Sequence, residues 1–142
     1  MNILILHGPN LNLLGERDPE IYGKTTLDEI NAELQKKADS LSVPVRIFQS
    51  NHEGSLIDHI HRERKWGDAL IINPGAFTHY SYALRDAIEA FSKPTIEVHL
   101  SDIMKREEFR KHSVLDGLKN VRRITGRGAE GYYEALRSLT IK

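Results

Sequence analysis

An open α/β domain on a five-stranded parallel sheet is the fold class this sequence predicts, from three observations. Five short apolar runs recur along the chain, amphipathic segments separate them, and each run empties into a cluster of unusual polar residues. The runs are Asn2-Ile-Leu-Ile-Leu-His7, Val45-Arg-Ile-Phe-Gln-Ser50, Ala69-Leu-Ile-Ile-Asn73, Thr95-Ile-Glu-Val-His99 and Val121-Arg-Arg-Ile-Thr125. Such runs, alternating with helices, read as parallel strands in βαβ units. A sheet of this kind binds its ligand outside the carboxyl ends of its strands. Those ends are Gly8-Pro9-Asn10, Asn51-His52-Glu53-Gly54, Pro74-Gly75, Leu100-Ser101-Asp102 and Gly126-Arg127-Gly128. The active site is expected there.

The helices follow in order. Thr26 and Glu29 form a capping box ahead of a helix whose Leu27, Ile30, Leu34, Ala38 and Leu41 share one face, and Pro44 follows its end. A second helix runs from about 54 to 65 with Leu56, Ile57 and Ile60 inward. The third starts near Ser81 and buries Ala83, Leu84, Ala87, Ile88 and Phe91 before Pro94 stops it. A fourth, short and charged, covers roughly 103–111, and the last runs from about 128 to 140. No repeat, low-complexity tract or linker interrupts the pattern, so residues 1–142 are expected to form one domain. Five parallel strands of this size favour a three-layer, flavodoxin-like sandwich with strand order 2-1-3-4-5.

One connection is abnormal. Some seventeen residues, Gly8 to Lys24, separate the first strand from the first helix, where such loops usually take about 2–6. The segment carries Gly8, Pro9, Gly15, Pro19 and Gly23 together with Arg17 and Tyr22. We expect residues of about 15–24 to act as a lid over the site.

The bulk composition narrows the partners. Twenty basic side chains balance twenty acidic ones, which gives no footprint for nucleic acid or an anionic membrane. No apolar stretch approaches the roughly 20 residues that span a bilayer. The opening residues read as a strand and lack the basic start of a secretory leader. A cytoplasmic enzyme or binding domain is the expectation. The absence of cysteine removes disulfides, thiolate metal sites and a thiol nucleophile.

Several groups carry chemistry, and each also has an ordinary structural reading. Glu97 and His99 are two apart on a strand, so both point to one side of the sheet. The carboxylate can hold one imidazole nitrogen and leave the other free to move a proton; the alternative is two polar residues at a solvated tip. Asn73-Pro74-Gly75, followed by Phe77-Thr78-His79 and a helix start, offers amide donors for a carboxylate or oxyanion, or forms a simple turn. Leu100-Ser101-Asp102 offers the same, although Asp102 alone reads as a helix cap. Arg106 and Arg110 share a face if the segment is helical, but Glu107 and Glu108 between them favour a solvated charged helix. Arg85 and Asp86 have an ordinary surface reading. A tyrosine removes a proton only as the phenolate, and Arg17 near Tyr22 would stabilise that charge; otherwise Tyr22 is an exposed loop residue. The run Gly126-Arg-Gly-Ala-Glu-Gly131 matches a dinucleotide fingerprint, yet the chain ends 11 residues later with no room for the next strand and its acidic residue. Tight turning and helix packing explain these glycines better. His59 and His61 diverge on a helix and make no metal pair. No metal site is expected.

Together these segments resemble the type II 3-dehydroquinate dehydratases. The matching pieces are Gly8-Pro-Asn-Leu-Asn-Leu-Leu-Gly15 with Arg17 and Tyr22-Gly23, Ser50-Asn-His-Glu-Gly54, Ile72-Asn-Pro-Gly-Ala76 with Thr78-His79, Glu97-Val-His-Leu-Ser101 with Arg106-Glu-Glu-Phe-Arg110, and Gly126-x-Gly128 with Gly131-Tyr132. They run in the family's order along nearly the whole chain. His7 stands where asparagine is usual, Phe77 where tyrosine is common, and Asp102 and Met104 where Asn and His are usual; Tyr80 and Tyr82 follow His79. The resemblance implies a cofactor-free lyase of the shikimate pathway that loses water by anti elimination through an enolate. It assigns Tyr22, beside Arg17, as the base at C2 and Asn10 as holder of the enolate through a water. His99, oriented by Glu97, would protonate the leaving C1 hydroxyl. Asn73 with the Leu100 and Ser101 amides would take the substrate carboxylate, and His79, Arg110 and a neighbouring subunit's Asp86 would contact the ring hydroxyls. Arg106 would stabilise the lid or a contact within a trimer. The family assembles trimers into a dodecamer, so a large homo-oligomer is expected.

The rival of a different class is a flavodoxin-like module that binds a nucleotide or flavin; it leaves Tyr22 and His99 without a task. A receiver-type signalling domain shares the fold but needs acidic residues where this chain has His7-Gly8 and Asn73, and a lysine where it has Gly126. Fold alone does not separate these, because function lives in the site.

Overall fold

A computed structural model describes residues 1–141. Strands β1 (Ile3–His7), β2 (Val45–Gln49), β3 (Ala69–Asn73), β4 (Thr95–His99) and β5 (Val121–Thr125) form one sheet of order β2-β1-β3-β4-β5, every pair parallel. This is the expected order and fold. The three central strands are buried throughout, and β2 and β5 at the edges are half-exposed. That difference explains why the central β1 and β3 read as nearly continuous apolar stretches, whereas Arg46, Arg122 and Arg123 interrupt the edge strands; the central β4 is the exception, carrying Glu97 and His99.

Helices α2 (Leu27–Ser40) and α5 (Glu130–Thr140) cover one face of the sheet, where Ile3, Ile5, Ile71, Ile96 and Val98 meet Ile30, Leu34, Tyr132 and Leu136. Helices α3 (Glu53–Glu63) and α4 (Tyr82–Phe91) cover the other, where Leu4, Leu6, Leu70 and Ile72 meet Leu56, Ile60, Leu84, Ile88 and Phe91. Alternate residues of each strand therefore serve alternate layers. The α2 cap forms as expected: Thr26 Oγ1 accepts from the Glu29 N–H at 3.2 Å and donates to the Glu29 carboxylate at 3.1 Å. Ser81 caps α4 by accepting from the Leu84 N–H at 3.0 Å, and its hydroxyl donates to Glu53 across the layer. Among the described residues no helix is long and apolar enough to cross a membrane.

Two segments differ from expectation. The charged helix over 103–111 is absent; two 3-10 turns, Ile103–Lys105 and Glu108–Lys111, stand in its place, with Arg106 extended between them. Ile103 is the one buried residue in those turns, so no apolar stripe exists to hold a continuous helix. The long first connection is also more ordered than a bare loop. It contains a 3-10 turn at Leu11–Leu13 and the four-residue helix α1 (Pro19–Tyr22), which has no fully buried residue and packs on the core through the half-buried Tyr22.

Candidate active site

The carboxyl ends of β1, β3 and β4 meet at a cavity of ≈ 150 Å³. On β4 the alternation places Glu97 and His99 on the α3/α4 side of the sheet, opposite Val98. Glu97 is 1% exposed, a costly place for a carboxylate unless its oxygens are satisfied. They are. His99 Nε2 lies 2.6 Å from Glu97 Oε2, the Thr78 hydroxyl donates to the same oxygen at 2.5 Å, and the Ser113 hydroxyl lies 3.1 and 3.0 Å from the two oxygens. Arg123, the register partner of Glu97 on β5, adds a guanidinium at 3.7 Å. Burial by itself pushes the Glu97 carboxyl upward, but its bond to His99 and the His99 charge, with Thr78 and Arg123, outweigh that and hold it below the ordinary glutamate range. The acceptor on Nε2 fixes a proton there and leaves His99 Nδ1 for the cavity.

Tyr22 enters from α1 and half buries its ring. Arg17 Nη2 donates to its oxygen at 3.0 Å, and Arg106 Nη2 donates to the same oxygen at 3.3 Å. Both guanidiniums also lie over the ring, 4.3 and 5.4 Å from its centroid. Arg106 reaches Ser101 Oγ as well, at 3.1 Å, so it bridges the α1 segment to the tip of β4. The sequence suggested for Arg106 only a contact stabilising the lid or a trimer, outside the catalytic set. Its only local signal was the spacing to Arg110, which implied a solvated helix face, and the extended backbone at Arg106 removes that helix.

The remaining expected residues fall at the same end. The Asn73 side chain accepts the Gly75 N–H at 3.0 Å through Oδ1, which leaves its amide hydrogens as donors. The carbonyls of His99, Leu100 and Ser101 are tied to the loop after β5 by the Gly126 and Gly128 N–H groups, at 3.0 to 3.2 Å. The Leu100 and Ser101 N–H groups find no acceptor among the described residues. Gly126 adopts φ +79, and a Cβ there would stand 2.9 Å from Asp102 Cβ, so this glycine is a packing requirement of the loop. His79 donates from Nδ1 to the His112 carbonyl at 2.7 Å; burial, then the nearby His99 and Arg110 charges, lower its affinity for a second proton despite that bond. Arg110 lines the cavity, and its buried Nε lies 2.6 Å from Glu107 without alignment for a hydrogen bond. Asn10 sits at the mouth in a left-handed conformation (φ 69), with its N–H on Asn51 Oδ1 at 3.0 Å. Asp86 is not brought in; it lies exposed on α4, away from this chain's own cavity.

The charge pattern is one-sided. Arg17, Arg106, Arg110, His79 and His99 line the cavity, and no aspartate or glutamate does among the described residues. An enclosed wall of this kind selects a small anion. No group of three or more His, Asp or Glu among the described residues is placed to hold a metal ion.

The model of the family described as Dehydroquinase class II matches residues 1–140. The 3-dehydroquinate dehydratase of Pelotomaculum thermopropionicum is 56% identical over 138 residues, covering 97% of this chain and 95% of that one. The 3-dehydroquinate dehydratase of Halothermothrix orenii is 53% identical over 137 residues, covering 96% and 92%. Among solved structures, the type II dehydroquinase from Butyrivibrio crossotus superposes with a TM-score of 0.95 at 43% identity, over 99% of this chain and 98% of that one.

Proposed function

The chain belongs to the class II dehydroquinase family, and from that premise we propose how its pocket removes water from 3-dehydroquinate. It catalyses that dehydration, a step of the shikimate pathway. The observation that carries the proposed roles is the Tyr22 oxygen under two guanidiniums, in a cavity walled by cations and free of carboxylates.

Tyr22, as phenolate, takes the proton from C2 of the substrate. Arg17 and Arg106 both direct N–H donors at the oxygen that carries the negative charge in the base form. Removal of that proton leaves an enolate on the C3 oxygen, held by Asn10 through a water. The C1 hydroxyl then departs with the Nδ1 proton of His99, which enters this step as the imidazolium stabilised through Nε2 by the Glu97 anion and leaves it neutral with its proton on Nε2. Elimination is anti, base and acid acting from opposite sides of the ring. The substrate carboxylate rests on the Asn73 amide and the Leu100 and Ser101 N–H groups, all open donors. His79 and Arg110 contact the ring hydroxyls. A cavity of ≈ 150 Å³ suits a small hydroxy-acid, and it is small beside the roughly 300–1,000 Å³ of sites for larger ligands such as a flavin.

Two further expectations belong to this reading. The segment of residues 15–24 is the lid: Gly15 (φ +92) and Gly23 (φ +83) flank a short helix with no fully buried residue, packed on the core through Tyr22, which supports its moving as a unit. Asp86 completes a neighbouring subunit's site within a trimer-based dodecamer; its exposure on α4 beside Tyr80 and Tyr82, 59% and 64% exposed, supports that placement.

Dehydration creates a conjugated enone, so ultraviolet absorbance of 3-dehydroquinate tests the roles directly. The wild type is expected to generate new absorbance, and Tyr22→Phe to lose about 10²–10⁴-fold in turnover, the range of a missing general base. Near-normal turnover in a folded Tyr22→Phe that still binds substrate would remove the tyrosine from the chemistry.

A further inference from the structure

Glu97 carries more support than one imidazole requires. Its carboxylate is 1% exposed, and the two hydroxyl residues that hold it, Thr78 and Ser113, are both 0% exposed. Thr78 comes from the 3-10 turn after β3, and Ser113 from the loop beyond the Glu108–Lys111 turn, so neither belongs to the strand that bears Glu97 and His99. The Val114 N–H donates to the Thr78 carbonyl at 2.7 Å and ties those two segments together.

The donor directions follow from the neighbours. Ser113 Oγ accepts the Leu115 N–H at 3.1 Å, which leaves its hydroxyl hydrogen for the carboxylate oxygens 3.1 and 3.0 Å away. The Thr78 hydroxyl donates at 2.5 Å to Oε2, the oxygen that His99 Nε2 approaches at 2.6 Å. Arg123 is the weaker support: it stands 3.7 Å from Oε1 and pairs with Asp116 at 2.7 Å.

These donors bear on where the proton between Glu97 and His99 lies. The pair is either carboxylate with imidazolium, or carboxylic acid with neutral imidazole. Hydroxyl donors stabilise charge on the carboxylate and so favour the first arrangement. Without them, a carboxylate this deeply buried would draw the Nε2 proton to itself. The imidazolium is the stronger acid at Nδ1, and the leaving hydroxyl needs that proton.

We propose that Thr78 and Ser113 are positioning residues that hold Glu97 as the anion and so keep His99 as the imidazolium that protonates the leaving hydroxyl. The inference rests on the reading of His99 as that acid. Neither hydroxyl lines the cavity, so each acts through Glu97 and leaves substrate binding alone.

Steady-state kinetics with 3-dehydroquinate on Thr78→Val, Thr78→Ser, Ser113→Ala and Glu97→Gln test it, with each hydroxyl deletion repeated in the Glu97→Gln background. Thr78→Val keeps the shape without the donor, and it should lower kcat roughly tenfold, the scale of one hydrogen bond to a charged group. Ser113→Ala should do the same, and KM should stay within about twofold in both. Thr78→Ser keeps the donor and should restore kcat. Glu97→Gln has no anion to hold, so kcat should already be low and neither deletion should lower it further. A purely structural role would instead repeat the same fold-loss in both backgrounds. That repetition overturns the proposal, as does wild-type kcat in a folded Thr78→Val or Ser113→Ala, or a Thr78→Ser as slow as Thr78→Val. If Thr78→Val does not fold, the Ser113→Ala cycle decides. Wild-type kcat in Glu97→Gln would overturn the reading of the acid pair itself and this inference with it.

Discussion

His99 has two ring nitrogens with two different neighbours, and that asymmetry makes it useful. Nε2 faces a buried carboxylate whose other contacts come from Thr78 and Ser113, so the proton on that nitrogen stays and the cavity sees Nδ1. The pairing of Glu97 with His99 was legible from a spacing of two on a strand; Thr78 and Ser113 were not, because no periodicity links them to Glu97. His7 makes the contrast sharper. Burial depresses its pKa to about 4, against 6.5 for the free side chain, and outweighs its bond to Asn31, which pulls the other way. Between those values the unfolded chain holds a proton that the folded chain lacks, so stability rises with pH across the window. Equivalently, about 3 kcal/mol present above pH 6.5 is lost as pH falls toward 4. Melting temperatures at pH 7 and pH 4.5 should therefore fall further for the wild type than for His7→Asn. Equal falls would mean that His7 does not titrate in this way.

Strand tips are the elements that carry the site, and their spacing is set by backbone contact. The Gly8 N–H donates to the Asn73 carbonyl at 2.7 Å, and a Cβ at position 8 would lie 2.5 Å from the Pro74 carbonyl oxygen and 2.6 Å from its carbon. Backbone at that distance cannot swing aside as a side chain would. Gly8→Ala should cost about 1–3 kcal/mol, the range of overpacking, and should reduce turnover by moving Asn10 away from Asn73. A urea midpoint equal to the wild type would show that the two loops separate freely. The same reasoning explains which elements the sequence revealed. The α2 capping box and the α4 stop at Pro94 are local signals, read correctly from a few neighbouring residues. The segment from Ile103 to Lys111 has one such signal, the Asp102 cap, which forms at 3.0 Å but starts only a single turn; the rest of its shape depends on Arg106 reaching outward to Ser101 and Tyr22.

At the scale of the whole molecule, the cavity of one chain is lined by Tyr22, His99 and Asn73, the residues proposed as base, acid and part of the carboxylate cradle, and Asp86 lies outside it. If Asp86 serves a neighbouring subunit, two inactive variants can repair each other. Oligomers reassembled from Tyr22→Phe and Asp86→Ala chains should regain part of the wild-type turnover, because some sites combine an intact Tyr22 with an intact Asp86. Light scattering should give a dodecamer for the wild type. A monomer, or mixed oligomers as inactive as their parents, would place the complete site within one chain.

By itself the sequence determined the alternation of strands and helices, the parallel sheet, and the gathering of Asn10, Asn73, Glu97, His99 and Ser101 at strand ends. These follow from local periodicity, since side-chain direction along a strand and the hydrophobic face of a helix repeat over a few residues. Tertiary structure alone decided which of those groups meet. Arg106 finds Tyr22 across 84 positions, Ser113 finds Glu97 across 16, and Tyr132 finds His7 across 125. No pattern along the chain encodes such pairs; they exist because the strand order brings β1, β3 and β4 side by side and packs α5 over β3 and β4.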